Sequence, residues 1–201
     1  MTETWDHYSY KYRGKIFSLR TGKARLDNGR LVQRDVIEHL GGVAVVPVVN
    51  ENSVILLRQF RISIEKGLLE LPGGRVEHGE KPKLTARREL IEETGYRAGS
   101  LVEIADFWPA PGFTNLRIHV YLAFDLEQIG QRLEWDEKPK LKFLSLSEIE
   151  AGLLKHRFKD GNTVIGLFSL IAYLQKPPKN CPPVVLSLSR ALRRGRKGKH
   201  A

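Results

Sequence analysis

Three glutamates crowd the end of one predicted helix. In the stretch GGRVEHGEKPKLTARRELIEETGY, positions 73–96, Glu89, Glu92 and Glu93 stand just ahead of Gly95. Side chains three and four apart share a helix face, so the carboxylates form one patch, with Glu89 and Glu93 a turn apart. Negative charge at a helix C-terminus opposes the dipole, and like charges at this spacing repel. The patch therefore calls for a counter-ion. Hard divalent cations with oxygen ligands, Mg²⁺ or Mn²⁺, match it, and Mg²⁺ keeps part of its shell for water and substrate phosphates. Such a patch would grip a diphosphate through its metals; the bland alternative is a solvated acidic helix end.

These carboxylates need a helix beneath them and a loop in front. Pro82 suits a first helical position and Gly95 the residue past the end, which predicts a helix from about Pro82 to Thr94. Lys81, ahead of the proline, is a weak cap. Upstream, residues 9–40 read as strands: KIFSL, KARL, a turn at Asp27–Gly29, then RLVQRDVIEHL. VAVVPVV and SVILLRQF form a buried hairpin, followed by LLELP and the Gly-rich loop. Downstream, LVEIADFW, IHVYLAFDL and KLKFLSL alternate as strands, and Ser145–Glu148 reads as a capping box. A last helix follows Asn162 with a broad apolar stripe. Prolines 177, 178, 182 and 183 are expected to stop regular structure. The expected class is α/β with a mixed sheet: a small N-terminal antiparallel sheet (residues 1–40), a mixed-sheet body (41–176) and a flexible tail (177–201).

Composition bounds the partners. The chain has 201 residues, 41% of them hydrophobic, so a packed core is expected. Its net charge of +10 is local: from Lys176 onward there are eight Lys/Arg and no acid, leaving 25 basic and 23 acidic residues before it. That basic end is expected to be solvated and disordered, with nucleic-acid or membrane-surface contact as the alternatives. The single cysteine, Cys181, excludes an internal disulfide framework and fits a reducing, cytoplasmic setting. No apolar run approaches a membrane span, and MTETWDHYSY lacks a signal-peptide pattern. The histidines show no metal-ligand spacing; His119, alternating with apolar neighbours, reads as structural. No Ser/His/Asp set is apparent.

The loop and helix together resemble the Nudix box: Gly, five residues, Glu, seven residues, then Arg-Glu-aliphatic-any-Glu-Glu-any-Gly-apolar. Gly74, Glu80, Arg88, Glu89, Glu92, Glu93 and Gly95 fill its fixed positions, and Leu90 and Tyr96 its apolar ones. The resemblance implies a Nudix-type α/β/α sandwich holding about two or three Mg²⁺ ions, with Mn²⁺ a possible substitute. It implies Glu89 and Glu93 as principal ligands, Glu92 assisting, and a carbonyl of Gly73 completing the site. Arg88 and Glu80 would orient the carboxylates. Departing from the common pattern, Lys81 replaces an acid before the helix proline.

The substrate must be read elsewhere. Pro111, sixteen residues after Gly95, opens a Pro111-Gly112 loop ahead of IHVYLA. With VILLRQFR and LLELPGG, this resembles the ADP-ribose pyrophosphatases over residues 11–175. That implies cleavage of ADP-ribose to AMP and ribose 5-phosphate by a homodimer joined through the N-terminal sheets. Arg61 is implied as a diphosphate or ribose contact; Arg58, three residues away on a strand, need not face the same ligand. Surface salt bridges are the alternative for both. Phe17, Tyr10 and Trp5 are candidates to stack the base, and a core role competes for Phe17. The family draws a general base from a late loop; Glu137 is favoured over Glu134 and Asp136, with Glu92 the alternative. Other nucleotide sugars, dinucleoside polyphosphates and RNA 5′ ends remain open as substrates. A non-catalytic ADP-ribose sensor fits less well, because every box residue is kept and little chain follows the body.

Overall fold

The computed structural model describes residues 2–49, 52–131, 139–179 and 181–197, apart from the side chains of 194–197. β1 (Glu3–Arg13), β2 (Ser18–Leu26) and β3 (Leu31–Glu38) form a three-stranded antiparallel sheet. The second sheet runs β6-β5-β4-β8-β7, with β9 paired to β5. Its strands are β4 (Gly42–Val49), β5 (Ser53–Arg61), β6 (Lys66–Glu70), β7 (Tyr96–Phe107), β8 (Ile118–Gln128) and β9 (Lys140–Ser145). β4 and β8 are parallel, the other pairs antiparallel, so the sheet is mixed.

Strand alternation divides the core between two faces. Ala44, Val46 and Val48 of β4, with Val120, Leu122 and Phe124 of β8, pack beneath α2 (Leu146–Leu154), α3 (Gly161–Gln175) and α4 (Pro183–Lys197). Val43 and Val45, with Tyr121 and Ala123, meet Ala86 and Leu90 of α1 (Pro82–Thr94) on the other side. Central strands covered on both faces read as continuous apolar runs, which explains VAVVPVV. The layers are helix, sheet, helix.

α1 has its predicted ends. Pro82 occupies the first turn, Lys81 provides no side-chain cap, and Gly95 closes the helix at φ 76°, its N–H bonding the Ile91 carbonyl. No basic residue sits in the last turn to offset the acids there. Ser145 and Glu148 make the predicted capping box, and Asp160 caps α3 by accepting from Thr163 N.

Two expectations are corrected. KIFSL and KARL are not separate strands: β1 begins at Glu3, and β2 runs unbroken because Thr21 and Gly22 are held in register against Ser9 and Tyr8. Pro177 and Pro178 follow the end of α3 as expected, but Pro183 does not stop regular structure, and residues 183–197 are helical rather than an irregular tail. Pro183 starts α4, whose Val185, Leu188 and Leu192 recur at helical spacing and are buried against the core. Counting charge hid that apolar period.

The N-terminal sheet is joined to the body through β3 and the loop before β8. Ile37 N–H donates to the Phe113 carbonyl at 2.8 Å, and His39 N–H to Asn115 Oδ1 at 2.7 Å.

Candidate active site

Arg88 organises the acidic helix end. Its Nη1 donates to Glu89 at 2.8 Å and to Glu92 at 3.0 Å, while Nε and Nη2 grip Glu80 at 3.3 and 3.1 Å. Nη2 also reaches the Arg75 carbonyl in the loop at 3.3 Å. Burial works against this guanidinium's charge, yet Glu80, Glu89 and Glu92 raise its pKa further above the ordinary arginine value. Hydrogen bonding from Arg88 in turn holds Glu80 below the usual carboxylate range. Fixing the rotamers of Glu89 and Glu92 is what such a central fork does best.

Glu93 is 3% exposed, at the junction of loop, strand and helix. Its Oε2 accepts from Gly73 N–H at 2.7 Å and its Oε1 from Gln59 Nε2 at 3.2 Å. A Cβ on Gly74 would lie 2.2 Å from Glu89 Oε1, so any side chain there would displace that carboxylate. The loop is thereby pressed onto the carboxylates. Glu80, Glu89 and Glu92 share one central guanidinium and Glu93 lies one turn from Glu89, so negative charge is in excess, and an all-oxygen donor set suits Mg²⁺ or Mn²⁺. The donors fit a hard divalent cation.

Beside them lies a cleft of about 460 Å³ lined by Gly73, Gly74, Arg61, Glu70, Lys159 and Asp160, among others. Arg61 points there but is engaged: Nε and Nη2 bond the buried Glu70 at 3.0 and 2.5 Å, which raises the pKa of Arg61. Arg58 is exposed and absent from the cleft, because an odd offset along β5 turns it to the opposite face. Pro111 and Gly112 line a separate cavity of about 410 Å³ with Trp5, Trp108 and Phe113. Phe17 packs on Tyr12 (ring centroids 5.3 Å apart) and lines a third, of about 660 Å³, with Tyr10, His39 and His78. His39 borders this cavity and the Arg61 cleft alike. Glu134, Asp136 and Glu137 lie outside the described residues.

Sequence reasoning missed Gln59 and Glu70. The available signals were Gln59 two residues from Arg61 on one strand face, and an acid buried ahead of Pro72. It also missed a second group able to hold a metal, Glu103, Asp106 and His119, whose ligand atoms lie within 4.8 Å of one another. A register shift between Glu103 and Ala105 breaks simple alternation in β7 and brings Glu103 and Asp106 together. His119 Nδ1 sits 2.8 Å from Glu103, and Arg117 Nε donates to Asp106 at 2.7 Å, so both acids already have partners.

Comparison with known proteins agrees with this geometry. The NUDIX domain model matches residues 38–164. The chain is 38% identical over 138 residues to an ADP-ribose pyrophosphatase of Bacillus subtilis (strain 168), covering 69% of this chain and 73% of that one. It is 36% identical over 166 residues to a methanol dehydrogenase activator of Bacillus methanolicus, covering 82% and 88%. A crystal structure of an ADP compounds hydrolase superposes with a TM-score of 0.77 at 22% identity, over 87% of this chain and 95% of that one, a likeness of fold. With the box residues gathered at one helix end and the family match spanning the sheet that carries them, the chain belongs to the Nudix domain family.

Proposed function

We propose that the chain is a Mg²⁺-dependent hydrolase that splits ADP-ribose into AMP and ribose 5-phosphate. The observation that carries this is Glu93, buried between Gln59 and the Gly73 amide and one turn from the Arg88-clamped Glu89. The similarity to an ADP-ribose pyrophosphatase supports the choice of substrate.

Bound by Glu89, Glu92, Glu93 and the Gly73 carbonyl, Mg²⁺ would polarise the diphosphate oxygens and lower the pKa of water. Arg88 and Glu80 hold the carboxylates in place, so little reorganisation accompanies the reaction. Arg61, its plane fixed by Glu70, contacts the diphosphate from the cleft wall. Glu137 accepts the proton of the attacking water, with Glu92 the alternative base. As water adds to phosphorus, the anhydride P–O bond breaks and the two phosphomonoesters leave. Pro111, Gly112 and Phe17 serve the nucleoside end, and a homodimer through the N-terminal sheets completes that region.

A substrate panel with Mg²⁺, resolved by product identity, tests the assignment. ADP-ribose should give the highest kcat/KM among ADP-ribose, ADP-glucose, GDP-mannose, dinucleoside polyphosphates and capped RNA. A better substrate elsewhere in the panel would replace ADP-ribose while keeping the reaction.

A further inference from the structure

α4 converts a run of charge into a shaped surface. From Lys176 to the end of the sequence there are eight Lys/Arg and no Asp/Glu. Val185 and Leu188 are fully buried and Leu192 is 3% exposed, all in the cluster shared with α2 and α3. Turning that stripe inward leaves Arg190 and Arg193 on the outside, while Lys176 and Lys179 are exposed on the segment leading in. Arg193 Nη2 also donates to the Gln175 carbonyl at 3.2 Å, pinning the outer row to the end of α3. Among the described residues, none of these four cations forms an ion pair. Arg194, Arg196, Lys197 and Lys199 continue the run in sequence.

The chemistry of the partner follows from which face is spent. A helix that lies on a membrane inserts its apolar side, and α4 has committed that side to the core. What remains on the outside is Arg190 and Arg193, about 4.5 Å apart along the axis in the C-terminal half of a helix of 15 residues that contains no acid. Spaced cations beside a single exposed leucine, Leu186, rather than a broad apolar face match a polymer of phosphates, whose condensed counter-ions they would release.

We infer that the outer face of α4, with Lys176 and Lys179, docks the phosphate backbone of a nucleic acid. Binding is independent of sequence and of the hydrolase site. The test is fluorescence anisotropy of the full chain with labelled single-stranded RNA, titrated from about 50 to about 200 mM salt. The expected slope of log K against log salt is about −0.7 per phosphate neutralised, hence about −3 or steeper for four or more contacts. An Arg190→Gln/Arg193→Gln variant should flatten the slope by about 1.4 and weaken binding roughly tenfold at low salt. Its circular dichroism and its hydrolysis of ADP-ribose should stay at wild-type levels. An Arg190→Lys/Arg193→Lys variant should keep the wild-type slope. Absence of saturable binding at low salt, an unchanged slope in the Gln variant, or tighter binding to phosphatidylserine vesicles than to RNA would each overturn the proposal.

Discussion

At the scale of single residues, the site depends on what is absent at position 74. The carboxylate of Glu89 occupies the space a Gly74 side chain would need. The obstruction is the far end of a flexible side chain, so Gly74→Ala should fold and displace Glu89 rather than the loop. We expect turnover to fall roughly a hundredfold while the melting temperature changes little, because a misplaced ligand costs catalysis more than packing. Wild-type turnover in this variant would show that Glu89 has no fixed role. The carboxylate patch was legible in the sequence because helix spacing alone brings Glu89, Glu92 and Glu93 together, with Arg88 and Glu80 bonded to one another nearby. Gln59 and Glu70 were not, since their roles arise where β5 and β6 approach α1 and the cleft, which no local period encodes. Glu103, Asp106 and His119 were hidden for a similar reason: one β-bulge decides which side of β7 each acid takes.

At the scale of elements, the connection from β3 to β4 ties the N-terminal sheet to the active-site loop. His39 accepts from Gly41 N–H at Nδ1 (3.0 Å), and its own N–H reaches Asn115 in the loop before β8. Arg75 donates to the Lys15 carbonyl in the β1–β2 turn, while the carbonyl of Arg75 receives Arg88. Burial lowers the pKa of His39 below the ordinary 6.5, and the nearby charge of Arg75 lowers it further. The folded chain therefore holds a neutral imidazole where the unfolded chain would take a proton. Stability from this group is fully present above the unfolded pKa and is lost as pH falls from it through the lowered folded value. Thermal melts of the wild type should lose stability between about pH 7.5 and about pH 5.5, and His39→Gln should lose less over the same interval. Equal losses would place the pH dependence elsewhere. The ends of α1 and the capping box of α2 were legible because caps are local chemistry; the run of β2 was not, because pairing with β1 overrides the sequence punctuation.

At the scale of the whole molecule, α4 closes the helical layer beneath the sheet. The basic composition of that segment suggested a tail, and only the stripe of Val185, Leu188 and Leu192 marks it as structure. Leu188 is fully buried, so Leu188→Ala should cost about 2–5 kcal/mol in chemical denaturation, whereas a side chain on a solvated tail would cost almost nothing. The layered fold was legible as alternating and continuous apolar runs. The three separate cavities where the two sheets and loops meet were not, because they are made by packing between distant segments. The account's central claim is that the acids at the end of α1 hold the metal that cleaves a diphosphate. It is tested most directly by following ADP-ribose with Mg²⁺ in wild type and in Glu93→Gln, with products identified by mass. The wild type should release AMP and ribose 5-phosphate, and the variant should fold yet lose turnover by about 10²–10³-fold or more. Equal release of AMP by both proteins would contradict the claim.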